Sequence, residues 1–565
     1  MTKMKEKPVI YQVFTRLFGA KSQSCIPCGD KKRNGCGKMN DFTFKALASI
    51  KDLGVTHIWY TGIIEHATQT DYSSYGISKD HSAVVKGKAG SPYAIKDYYD
   101  VDPDLAEDVS RRMHEFENLV ARTHKAGMKV IIDFVPNHVS RQYHSDSKPA
   151  GVVDLGEQDD TSQDFSPSNN FYYINGQQFA PQFSLFDEDG NEYIEYPAKA
   201  TGNDHFSNSP SQNDWYETVK LNYGVDYQNG YATHFSPTPD TWFKMLDILL
   251  FWAGKGVDGF RCDMAEMVPC DFWHWAIENV KAQYPGITFI AEVYNPHEYR
   301  DYIYNGGFDY LYDKVGLYDT LRIVSNGASA SSITSCWQNV DDIHQHMLNF
   351  LENHDEQRIA SPYFCGNANK GLSALLVSML MRENPVMIYF GQELGERGND
   401  EEGFSGSDGR TTIFDYWTIS SINRWRNAGR FDESKLTDSE RQLRSYYKKV
   451  LTICNKETAI REGEFYDIMF ANYENESMDT NHQFAFLRKS GKHLIIVIAN
   501  FGESTSTKVK IPATAFDYLG IDKDLCYVEA KDLLTGKKES VMLSPDGFIE
   551  TDLPEHSGKV LKIKI

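Results

Sequence analysis

No stretch of the 565-residue sequence is apolar for long enough to cross a membrane, which takes about 18 or more residues. The opening residues, Met1-Thr2-Lys3-Met4-Lys5-Glu6-Lys7-Pro8, lack the apolar segment a secretion signal needs. A cytoplasmic chain is the expectation. Positive charge is also short: 58 Lys and Arg face 79 Asp and Glu, for a net charge of −21. That disfavours nucleic acid and anionic membrane as partners. The nine cysteines are odd in number and mostly scattered, so a disulfide framework is not expected. Three of them, Cys25, Cys28 and Cys36, share a Gly- and Lys-rich loop. A zinc site would need a fourth ligand nearby, and none is evident, so ordinary loop thiols are expected. Hydrophobic residues (41%) and aromatic residues (13%) are plentiful, which serves both a large core and a sugar-stacking surface. Composition does not divide the two.

The sequence is organised around Gly259-Phe260-Arg261-Cys262-Asp263-Met264-Ala265-Glu266. It follows a helical run and the turn Gly254-Lys255-Gly256, and so reads as a short buried strand. Such strands are normally apolar throughout. Here Arg261 and Asp263 sit two residues apart, on the same face of an extended chain. Burying an ion pair is costly and is weak evidence for stability, although structural pairs do occur.

Three other apolar runs end in ionisable residues. They are Lys129 to His138, Thr288 to Val293 with Glu292, and Met347 to Asp355 with His354. Four strands that each deliver a carboxylate or histidine at the C-terminal end match the way a (β/α)₈ barrel builds a site. Other strand-like runs are Val9–Phe14, Thr56–Tyr60, Phe308–Tyr312 and Pro385–Glu393. Helices are expected over 42–53, 109–125, 271–284 and 439–454. Another begins with Thr238 as N-cap and Pro239 at the first turn. The periodicity disappears between Val139 and Ser236, and a loop of that length is functional or a small inserted domain. The acidic, glycine-rich loop 395–410 reads as a lid or a solvated surface loop. After residue 459 alternation with turns takes over, as in Phe484–Arg488 and Leu494–Ala499.

The four signature runs, in their order, resemble the signature regions of the α-amylase family of glycoside hydrolases. The resemblance implies an α/β fold, a TIM (β/α)₈ barrel with a small inserted domain after the third strand and a C-terminal antiparallel β-sandwich. The corresponding division is 1–138 with 237–458 for the barrel, 139–236 for the insertion and 459–565 for the β-domain. The activity implied is a retaining α-glucan hydrolase that cleaves α-1,4 bonds of malto-oligosaccharides, glycogen or starch. An α-glucan transglycosylase using the same residues is the alternative. A non-catalytic sugar-binding relative is a remote one, since it would be expected to lack a carboxylate.

By resemblance Asp263 matches the nucleophile, Glu292 the general acid/base and Asp355 the third carboxylate. His138, Arg261 and His354 match residues that hold the sugar being cleaved, and Tyr93 matches the tyrosine beneath that ring. Retaining enzymes place the two carboxyl groups about 5–5.5 Å apart. Arg261 is expected to lower the Asp263 pKa, and desolvation to raise that of Glu292. Asn137 matches a calcium ligand, and a backbone carbonyl at Met267 another. Asp154, Glu157, Asp159 and Asp160 remain as unchosen acidic ligands. No organic cofactor is implied. The sequence departs from many α-amylases at Glu266 and Met267, where a Lys-His pair is usual, and this puts acceptor specificity in doubt. The substrate implied is an oligo- or polysaccharide.

Overall fold

Eight parallel strands form the centre of the molecule: β1 (Val9–Phe14), β2 (His57–Thr61), β3 (Lys129–Phe134), β4 (Gly259–Cys262), β5 (Thr288–Ala291), β6 (Tyr310–Tyr312), β7 (Met347–Leu348) and β8 (Val386–Tyr389). The structure is a computed structural model that describes residues 6–523 and 526–565. The strands pair in the order β7-β6-β5-β4-β3-β2-β1-β8. Asn349 closes the ring against β8: its N–H donates to the Pro385 carbonyl (3.1 Å) and its carbonyl accepts from Met387 N (2.8 Å). Closure leaves no strand edge open.

The barrel strands are buried almost without exception, as their apolar sequences require. They are also shorter than the apolar runs that predicted them. β4 stops at Cys262 and β5 at Ala291, so Asp263 and Glu292 each sit one residue past a strand. β7 ends at Leu348, well short of His354 and Asp355. The polar ends of these runs are therefore the first turns of the loops at one mouth of the barrel.

Helices fill the outside: α1 (Phe44–Lys51), α2 (Arg112–Lys125), α3 (Asp240–Gly254), α4 (Cys270–Gln283), α5 (Leu372–Leu380) and α6 (Asp438–Lys456). Gly54 and Gly127 follow α1 and α2 with φ of 99° and 77°, which only glycine takes at no steric cost. α3 begins one residue later than expected, with Pro239 rather than Thr238 as its cap. α6 starts on a reciprocal cap between Thr437 and Glu440 and buries Leu443, Tyr447, Val450, Leu451 and Cys454. Those positions recur every three or four residues, as a one-faced helix demands.

The aperiodic stretch after β3 holds only short strand pairs and turns. His138–Ser140 pairs with Thr218–Lys220, so that His138 lies opposite Lys220. Tyr173–Ile174 pairs with Ala198–Lys199. A small separate core of Ile174, Phe179, Leu185, Tyr193 and Ala198 also takes in Val84, from the loop after β2.

The C-terminal part is antiparallel. β9 (Glu464–Asp467), β10 (Gln483–Ser490), β11 (His493–Asn500), β12 (Thr505–Lys510), β13 (Tyr527–Asp532), β14 (Lys538–Met542), β15 (Phe548–Leu553) and β16 (Gly558–Lys564) form two sheets. One has the order β9-β10-β11-β16-β13-β14; the other pairs β12 with β15. Arg488 of β10 joins this part to the barrel helices. Fully buried, its guanidinium donates to the carbonyls of Met381 (2.7 Å), Gly463 (2.7 Å), Ala459 (3.1 Å) and Ile460 (3.1 Å). Among the described residues, no helix is long and apolar enough to cross a membrane.

Candidate active site

Arg261 leaves β4 pointing into the barrel mouth and is wholly buried. Its Nη1 lies 2.6 Å from Asp263 Oδ1 and 3.5 Å from Asp133 Oδ1. Its Nη2 lies 2.6 Å from Glu292 Oε2, and its Nε donates to the Tyr312 hydroxyl at 3.1 Å. The rings of Trp59, Tyr93 and Tyr312 surround it at 5.3–5.5 Å. One guanidinium thus bridges the carboxylates that end β4 and β5. Arginine suits this because its planar fork presents donors on two sides at once.

Besides this ion pair, Glu292 accepts two hydrogen bonds, from Met264 N (2.9 Å) to Oε2 and from the Tyr294 hydroxyl to Oε1. Met264 takes the left-handed backbone conformation (φ 43°, ψ 43°), which costs a non-glycine residue energy.

Asp355 lies beside them on the loop after β7. Its side chain is 38% exposed, and His354 Nε2 is 2.9 Å from its Oδ2. Burial works against its charge, but His354, Arg261 and Arg410 outweigh it and hold the carboxyl at about 2. Tyr93 stacks on His354 with ring centroids 5.0 Å apart, and its hydroxyl donates to Asp133 at 3.3 Å.

Arg261 acts to lower the Asp263 pKa, as expected, but it does not keep the value low. Burial raises it well above the usual carboxylate value, and the neighbouring Glu292 and Asp355 charges add to that; Arg261 only offsets part. The physical reason is first burial, which penalises the charged form of Asp263, and then the acidic neighbours that share its surroundings.

The cavity above these groups has a volume of about 410 Å³. Asp263, Glu292, Asp355, Tyr93 and His138 line it. Arg261 and His354 lie buried beneath. The predicted site residues are thus brought together, with one exception: Asn137 faces the insertion. Sequence reasoning missed other walls of the cavity, among them Trp215, Tyr294 and Phe414. Tyr294 stands two residues past Glu292 and was legible by proximity; Trp215 lies in the aperiodic stretch and carried no signal. Phe414 follows the 395–410 loop, which is anchored: Arg358 N donates to the Gly409 carbonyl, and Ala89 N to that of Phe414.

His138 is buried under the Trp215 ring (5.3 Å). Burial, with Lys220 and Lys86 nearby, pushes it down to about 3, so it is neutral at physiological pH. Glu266, where the resemblance led to a lysine, is partly buried and accepts from Tyr294 N and Asn295 N, both at 2.9 Å. It braces the loop that carries Tyr294.

The calcium site implied by Asn137 does not fit the residues present. Asn137 Oδ1 accepts from Lys220 Nζ at 2.5 Å, and the same ammonium reaches the Met267 carbonyl at 3.3 Å. The two oxygens expected to bind a dication are thus taken by a cation of the chain itself. Backbone N–H groups engage Asp154 (from Ser145), Asp159 (from Asn170 and Phe171) and Asp160 (from Ser162). Glu157 pairs with Lys148.

A barrel of this topology with this cluster at its mouth is the architecture of a glycoside hydrolase or transglycosylase. The description "Alpha amylase, catalytic domain" matches residues 12–442, and the chain belongs to the α-amylase family. It is 24% identical to alpha-amylase 3 of Dictyoglomus thermophilum over 81% of this chain and 78% of that one. It is 24% identical to the cyclomaltodextrin glucanotransferase of Bacillus licheniformis, over 70% of this chain and 50% of the relative. The solved alpha-amylase of Geobacillus thermoleovorans, in complex with acarbose, superposes with a TM-score of 0.63 at 18% identity, covering 100% of this chain and 99% of that one.

Proposed function

We propose that the protein cleaves α-1,4-glucosidic bonds of soluble malto-oligosaccharides with retention of configuration. The observation that carries this is the single guanidinium bridging Asp263 and Glu292. Each carboxylate lies 2.6 Å from that guanidinium, and retention calls for the two carboxyl groups to stand about 5–5.5 Å apart rather than the roughly 6.5–9.5 Å that inverting enzymes leave for a water. Asp263 attacks the anomeric carbon. Glu292 protonates the departing oxygen and then takes a proton from the incoming water. Asp355 and His354 bind hydroxyls of the ring being cleaved, His138 binds the same ring from the insertion side, and Tyr93 stacks against its C–H face. Two carboxylates supply both nucleophile and proton, so the reaction calls for no organic cofactor.

We take the working parts to be the barrel (1–138 with 237–458), the insertion (139–236) as one wall of the cleft, and the β-domain (459–565) as support. The similarity to a glucanotransferase makes transfer to a sugar acceptor the second reading, since it uses the same residues. Product analysis on maltoheptaose tests both. Hydrolysis yields shorter, initially α-configured products only, whereas transfer yields longer ones as well. β-Configured first products, or wild-type turnover by Asp263→Asn, overturn the assignment of roles. Release of sugar from sucrose or trehalose but not maltoheptaose overturns the substrate.

A further inference from the structure

Lys220 comes from the strand paired with His138–Ser140, and its side chain is 2% exposed. Its ammonium meets three oxygens from separate parts of the chain. They are Asn137 Oδ1 after β3 (2.5 Å), Asp204 Oδ1 of the insertion (2.7 Å) and the Met267 carbonyl after β4 (3.3 Å). The Tyr227 ring lies 5.1 Å away. An ammonium has three N–H donors and no acceptor, and three oxygens are here to take them. Calcium would need oxygens at about 2.3–2.6 Å, and the ammonium already stands at that distance from Asn137.

The same contact decides the orientation of the Asn137 amide. Its oxygen must face the ammonium, so its Nδ2 faces the other way. There it donates to the Gly202 carbonyl (2.8 Å) and lies 3.1 Å from His138 Nδ1. A ring nitrogen that accepts a hydrogen bond carries no proton, which leaves the proton of neutral His138 on Nε2.

We propose that the Lys220 ammonium takes the place of a bridging dication between barrel and insertion, and that through Asn137 it fixes His138 as the Nε2–H tautomer. Lys220 is thus a positioning residue: it ties three segments together and sets which way a cleft histidine can donate. The effect on turnover rests on the glucan-cleaving reading above; the metal independence and the tautomer do not.

The first test uses the wild-type chain. After exhaustive dialysis against EDTA, and again with millimolar calcium chloride, Tm is expected to stay unchanged. A Tm that falls on chelation and returns with calcium overturns the substitution of ammonium for metal. ¹⁵N spectra of the histidine rings, with His138 assigned by His138→Gln, are expected to show protonated Nε2. An Nδ1–H signal overturns the second half.

Lys220→Met keeps the volume and removes the charge. It is expected to lower kcat/KM on maltoheptaose by about 10- to 100-fold, the usual effect of losing a partner that orients a functional side chain. Its His138 signals are expected to change; an unchanged kcat/KM with unchanged signals overturns the positioning role. Lys220→Ala leaves the three oxygens around a vacated space, and calcium is expected to raise its Tm while leaving the wild type unmoved. No calcium response by that variant overturns the equivalence of ammonium and dication. Should the variants not fold, the two wild-type measurements still decide. Should maltoheptaose not be turned over while both wild-type results hold, the substrate reading fails and this inference stands.

Discussion

Arg261 Nη2 sits 2.6 Å from Glu292 Oε2, yet the contact is an ion pair without the alignment of a hydrogen bond. The aligned bond from this guanidinium goes instead to Asp263, at 2.6 Å. Glu292 takes its directed hydrogen bonds from Met264 N and the Tyr294 hydroxyl. Arg261 therefore supplies charge to both carboxylates but orients mainly one.

Removing the cation exposes what it compensates. Arg261→Met leaves Asp263, Glu292 and Asp133 buried without their shared partner. Breaking a buried pair costs about 3–5 kcal/mol, so a marked fall in the urea midpoint is expected. Arg261→Lys keeps a charge but loses the fork, and is expected to lower kcat/KM severely even where folding survives. A lysine variant with wild-type kcat/KM would show that the bridging geometry is irrelevant.

The raised Asp263 pKa gives a stability prediction. A carboxyl whose folded pKa lies above its unfolded value contributes stability that is present below the unfolded pKa and is lost as pH rises through the folded one. Asp263→Asn removes that loss. It is expected to have a Tm equal to the wild type in acid and higher at neutral pH, the gap widening with pH, while turnover is abolished. Thermal unfolding of both proteins across the pH range checks this; a variant less stable at neutral pH contradicts it.

Asp355 behaves in the opposite sense. Burial opposes its charge, but His354, Arg261 and Arg410 hold it at about 2, below the ordinary 3.8. Its contribution is present above the unfolded pKa and lost as pH falls through the folded one. Relative to Asp355→Asn, the wild type is expected to gain stability that is constant at neutral pH and fades from about pH 4 to about pH 2. The side chain is 38% exposed, so solvent screening keeps the difference modest. A gap that persists unchanged at the acid end contradicts the ion pairing.

Tyr294→Phe removes one hydroxyl and little volume. A hydrogen bond to a charged group contributes about 1.5–3 kcal/mol, equivalent to roughly 10- to 150-fold in rate if it acts in the transition state. The expected result is a loss of that size in kcat with a much smaller change in Tm. Steady-state kinetics with maltoheptaose and thermal unfolding measure the two; an unchanged kcat excludes the hydroxyl from the work of Glu292.

The sequence by itself determined which side chains meet at the barrel mouth. A parallel strand must be apolar to be buried on both faces, so the ionisable residues that end such runs stand out, and Asp263, Glu292, His354 and Asp355 were legible for that reason. Helix periodicity and terminal glycines made most of the outer helices legible as well. The tertiary structure alone decided the balance of charge. Whether Arg261 prevails in setting the Asp263 pKa depends on how deeply Asp263 is buried and which other carboxylates stand beside it, and neither is written in a local pattern. It alone also decided what faces Asn137. Lys220 lies 83 positions further along, in a stretch without periodicity, and only the pairing of His138 with Lys220 brings that ammonium onto an oxygen that the sequence had left for a metal.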